Sequence, residues 1–172
     1  MQALITLLMP FVSIVAQRGG PENLPKSQFL LTLVITTHIV VSYLVLFAFD
    51  SEFSRVAALP LLDTVAQSAF FAALLLGMGL GTRLTQTLTA AFGADVLLNL
   101  VLLPLSVFPT SDTPELTFPA IAIIFLLLWS LGIKGHILHR AIGVPYFVGV
   151  IISAGFFVAF YWLDMALFGA AT

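Results

Sequence analysis

Apolar residues run in blocks of about twenty along this chain, and each block ends at a cluster of polar residues, glycine or proline. A helix needs about 20 apolar residues to cross the ~30 Å hydrocarbon core of a bilayer. Five windows meet that length: 28–48, 57–77, 86–107, 118–138 and 144–165. They leave connections too short for a separate soluble domain, so residues 1–172 are expected to form a single integral membrane domain, an all-α polytopic transmembrane helix bundle.

The punctuation has physical causes. Gly19-Gly20-Pro21 and Pro25 keep a helix from running into the first span, and Asp50-Ser51-Glu52 closes it with groups that belong in water. Gly77, Gly79 and Gly81 loosen the end of the second span. Pro109 to Glu115 reads as the clearest loop, and Thr117 with Pro119 as a helix start. Gly143 and Pro145 read as the opening of the last span. Residues 1–16 are apolar but short and carry Pro10, which leaves four readings: an interfacial helix, a re-entrant helix, a sixth span, or a secretory signal peptide, the last disfavoured by the missing basic n-region and cleavage site.

Composition agrees with this pattern. The chain is 60% hydrophobic and 8% charged, with a mean hydropathy of +1.15, whereas water-soluble domains carry about 25% charged residues. The net charge of −2 without a basic tract argues against nucleic acid, and the lack of cysteine excludes disulfides, thiolate metal sites and cysteine nucleophiles. No cofactor is expected. With five spans and a cytoplasmic N-terminal region, Arg18, Lys26, Arg83, Lys134 and Arg140 fall inside and Arg55 outside. That bias obeys the positive-inside rule and puts the C-terminus outside. The Leu, Ala and Phe content and the compact connections suit a bacterial inner membrane.

Ionisable residues at membrane depth are costly and are candidate functional groups by default. His38 sits near the middle of the first span, with Ser42 one turn on. Asp95 has comparable depth in the third span, with Asn99 one turn on, so His38 and Asp95 are expected to face one another or a shared wet cavity. They could relay a proton, fix helix packing through hydrogen bonds with Asn99, or bind a metal or haem. Asp63 and Gln67, a turn apart in the second span, read as packing or near-interface residues. Lys134, His136, His139 and Arg140 form the densest cationic cluster, expected to snorkel to headgroups and to contact anionic lipid or a partner protein. The three-residue spacing of His136 and His139 suits a metal, but no HExxH or Glu-x-x-His set accompanies it, so no metal site is expected. Gly77-Met78-Gly79-Leu80-Gly81 lacks a Walker lysine and reads as a flexible span end or a close-packing site.

The five-span arrangement over 28–165, N-terminus inside and C-terminus outside, resembles the Yip family, the Ypt/Rab-GTPase-interacting membrane proteins. Leu62-Asp63-Thr64 stands where that family has its acidic-Leu-Tyr-Gly-Pro signature, and Gly93-Ala94-Asp95 where it has a Gly-Tyr motif. Its long cytoplasmic N-terminal region has no counterpart in residues 1–27. The resemblance implies a noncatalytic membrane-organising or partner-binding role and carries over no residue.

Two functions are therefore expected. The first is a noncatalytic accessory or scaffold subunit that packs against a membrane-protein partner or a second copy, through small residues such as Gly149, Ser153, Ala154 and Gly155. The second is a small proton-linked transporter or channel using His38 and Asp95. An enzyme is not expected, because no nucleophile stands with a base and an orienting group.

Overall fold

The computed structural model describes residues 2–49, 53–108 and 117–169, with the backbone alone for 2–7 and 53–56. The expectations for Asp50-Ser51-Glu52 and for Pro109 to Glu115 lie outside these residues. Within them the chain is helical with no strand, as the apolar blocks require. Six helices follow in order: α1 Gln2–Val15, α2 Gln28–Ala48, α3 Phe53–Gly77, α4 Leu84–Leu102, α5 Phe118–Ile142 and α6 Tyr146–Phe168. Five segments, all but α1, are long and apolar enough to cross a membrane. Their outer faces expose Phe29, Val65, Phe125, Ile151 and Trp162, side chains that suit lipid and not water.

The helix ends follow local chemistry. Ser27 caps α2 by accepting the Leu30 N–H at 3.2 Å. Thr117 does occupy the start of α5 ahead of Pro119, but its side chain makes no capping bond. Two boundaries differ from expectation. Pro104 turns the end of the third span into a 3-10 turn over Leu103–Val107, since proline lacks the N–H that would continue the α ladder. Gly143 closes α5 instead of opening α6: it adopts a left-handed φ of 76° and donates its N–H to His139 O. α5 consequently runs four residues past Leu138 and takes in His139 and Arg140.

At 14 residues, α1 is about 21 Å long, short of the ~30 Å a crossing needs. It packs on α4, with Phe11 and Ile14 buried. Gly93 makes this possible, because a Cβ there would collide with the Phe11 ring. Helices α5 and α6 approach closer still. A Cβ on Gly149 would strike the Gly135 carbonyl oxygen, and one on Gly135 would lie 2.7 Å from the Val150 backbone nitrogen. Gly149 and the buried Ser153 thus serve packing inside the bundle, while Gly155 faces open space.

The bundle has two unlike halves. α2, α4 and α6 start, and α3 and α5 finish, at the end that carries Lys26, Arg83 and Arg140. In that half lie Leu30, Val34, Phe71, Leu75, Phe92 and Ile137, all buried and joined in one core with Phe11 and Ile14 of α1. The cavity described below lies among the described residues of the opposite half.

Candidate functional site

Four ionisable side chains from four helices converge at mid-depth. From the basic end, at 1.5 Å per residue, Lys134 stands about 12 Å along α5 and Asp95 about 16 Å along α4. His38 stands about 15 Å along α2 and Asp63 about 21 Å along α3. All four line a cavity of about 360 Å³. Its floor is polar, and its walls are apolar side chains of the opposite half, among them Leu59, Leu102, Leu126 and Phe160.

On one side of the floor, Lys134 Nζ lies 3.3 Å from Asp95 Oδ2. Gln67 closes the triangle: its Nε2 donates to Asp95 Oδ2 at 2.8 Å, and its Oε1 accepts from Lys134 Nζ at 2.5 Å. The two charges fix the orientation of this amide, since a flipped Gln67 would turn its carbonyl to the carboxylate and its NH2 to the ammonium. Gln67 is wholly buried, so every one of its contacts is made in a medium of low dielectric, where such bonds are strongest.

On the other side, His38 Nε2 lies 3.1 Å from Asp63 Oδ2. With Asp63 as a carboxylate, which only accepts, Nε2 is the protonated nitrogen of the pair. The His38 ring packs at 5.0 Å against Phe92, and its Nδ1 is buried with no hydrogen-bond partner among the described residues. A proton added to Nδ1 would therefore find no acceptor until the ring or its surroundings moved. Asp63 keeps 28% of its side chain exposed, toward the cavity it lines. Further along, Asn99 Nδ2 donates to Ser42 Oγ at 3.3 Å, tying α4 to α2.

These contacts redraw the expected pairing. His38 and Asp95 share a cavity, but each has a different direct partner: Asp63 for His38, and Gln67 with Lys134 for Asp95. Lys134, placed by the sequence among the headgroup-facing cations, turns inward as the counter-charge of Asp95. The sequence hid this because its fourth span, 118–138, stopped at Leu138, which put Lys134 near an end. The left-handed Gly143 cap moves that end outward by a full turn.

The other members of the cationic cluster go elsewhere. His136 Nε2 donates to Gly19 O at 2.9 Å, and His139 Nδ1 to Val144 O at 2.6 Å. Each imidazole is held by a backbone carbonyl, and among the described residues no group of three metal-ligating side chains occurs. Arg140 pairs with Glu22, its Nε donating at 2.7 Å. Burial is the strongest influence on the Glu22 carboxyl and pushes its pKa up, but the Arg140 hydrogen bond, the local backbone and the charges of Arg140 and His136 together outweigh it. The result is a pKa below the ordinary 4.5. Arg83, Lys26 and Arg140 meet in a second pocket that the sequence did not assemble.

The chain matches no protein-family model, no curated protein and no solved structure.

Proposed function

We propose that this protein moves protons, alone or with a small solute, across a membrane through the cavity floored by His38, Asp63, Asp95 and Lys134. The observation that carries this reading is the convergence of four ionisable side chains from four helices on one cavity at mid-depth. A bundle needing only stability gains little from them, since well-packed apolar residues in place of a buried ion pair are often neutral or stabilising. A relay needs groups that exchange a proton with a wet space. Asp63 meets that condition through its exposed edge, and Lys134 and Asp95 through their places on the cavity wall.

With Arg18, Lys26, Arg83 and Arg140 on the cytoplasmic side, the compact half faces the cytoplasm and the cavity faces outward. The geometry then corresponds to one access state, with the sealed core as the barrier to the other side.

Purified protein in liposomes with an internal pH-sensitive dye should dissipate an imposed pH gradient faster than empty liposomes. The doubly neutral Asp95→Asn/Lys134→Met variant should remain folded without that flux. Wild-type flux no faster than in empty liposomes, or flux unchanged in the double variant, overturns the reading.

A second reading, an accessory or scaffold subunit, rests on α6. Its apolar window is 11% buried against 28% for each of the other four spans, and Gly155 leaves an open notch on its surface. A lateral partner would cover that face. Extraction in mild detergent with a stoichiometric membrane protein bound, lost on Gly155→Leu, would support it. Homogeneous protein with proton flux of its own would not.

A further inference from the structure

A second pocket, of about 470 Å³, lies at the basic end, outside the polar floor. It is built by four parts of the chain: Glu22 and Lys26 before α2, Thr82 and Arg83 at the turn into α4, Gln86 on α4, and His139 with Arg140 at the end of α5. Three permanent cations face one carboxylate, so the pocket carries a net positive charge.

The geometry points to a binding site for a phosphate-bearing anion. Each cation keeps donor capacity. Arg83 uses Nη1 to reach Ala141 O at 2.7 Å, which anchors the guanidinium at the pocket wall and leaves its other N–H groups available. Lys26 is exposed and has no hydrogen-bond or ion-pair partner among the described residues. His139 commits Nδ1–H to Val144 O, so its Nε2 would donate to a phosphate oxygen only from the doubly protonated ring. Arg140 is the one cation already neutralised, by Glu22. Glu22 thus occupies with its carboxylate the kind of contact an incoming phosphate oxygen would make, a planar fork of guanidinium donors. Thr82 adds a hydroxyl at the rim. The floor is tied by Gln86 Nε2, which donates to Leu24 O at 2.5 Å, so the cations are positioned by packed elements and not by a loose tail.

Such a phosphate could belong to the headgroup of an anionic lipid or to a soluble phosphate compound. Native mass spectrometry in mild detergent distinguishes them, with phosphatidylglycerol, phosphatidylcholine of the same chains and inorganic phosphate as probes. We expect one phosphatidylglycerol retained in preference to phosphatidylcholine. Occupancy should fall about fivefold for each cation removed, in Lys26→Ala, which breaks no contact, and in Arg83→Gln, which keeps a donor for Ala141 O. Glu22→Gln, which frees Arg140, should raise it. Retention that survives millimolar inorganic phosphate assigns the site to the lipid, and displacement assigns it to a soluble phosphate. Equal retention of the two lipids, retention of neither lipid together with no bound inorganic phosphate, or indifference to both Lys26→Ala and Arg83→Gln overturns the proposal. The readout does not depend on proton flux, so this site and the polar cavity stand or fall separately.

Discussion

Lys134 and Asp95 form an ion pair 3.3 Å long, about two helical turns inside the bundle, with 18% and 11% of their side chains exposed. Removing one member of such a pair leaves an uncompensated buried charge, which costs about 3–5 kcal/mol. Asp95→Asn and Lys134→Met should each lower unfolding stability in detergent by that order, and the double variant should regain most of the loss. Additive losses in thermal or denaturant unfolding would mean that the two charges are solvated independently.

His38 gives a different signature. Its Nδ1 has no partner, and Asp63 retains access to the cavity when the imidazole is gone, so His38→Phe removes a half-satisfied polar group from beside Phe92. Stability should change by no more than about 1 kcal/mol, while proton flux disappears. Loss of the fold in circular dichroism would assign His38 to packing instead.

The α5–α6 crossing should be sensitive to volume. Gly149→Val forces a side chain against the Gly135 carbonyl and should cost about 1–3 kcal/mol or more. Gly155→Ala, on the same helix with nothing within 4 Å, should be neutral. Unfolding midpoints of the two variants, measured side by side, check this.

Glu22 makes a pH-dependent contribution. Its folded pKa lies below the ordinary 4.5, so the stabilisation is fully present above that value and is lost as pH falls through the lower folded one. Since both side chains of the Glu22–Arg140 pair are nearly half exposed, the effect is at most about 1 kcal/mol. Stability of Glu22→Gln and wild type should differ by this amount at pH 7 and converge at strongly acidic pH.

The spans were legible in the sequence because their cause is local: a run of apolar residues must become a helix in lipid, and α2 falls where its run of residues places it. Candidate polar residues were legible for the same reason, being exceptions within those runs. Pairing was not, because it depends on how helices rotate and how far each extends. Gln67 looked like a packing residue until α5 was seen to bring Lys134 beside it. Arg83 and Lys26 lie 57 positions apart, and only the antiparallel return of α3 brings them to one pocket. The role of Gly143 turned on a single dihedral: a glycine before Val144-Pro145 can end one helix or begin the next, and its φ of 76° decides for the former.

The backbone contact between Gly135 and Gly149 has a mechanical consequence. With no layer of side chains between them, α5 and α6 have nothing to slide on and must travel as one stiff lever. The α4–α5 seam is different, being bridged by side chains, the Lys134–Asp95 ion pair and the Gln67 amide. Under the proposed proton-moving function, rearrangement would concentrate at that seam, where two helices meet through charges instead of backbone.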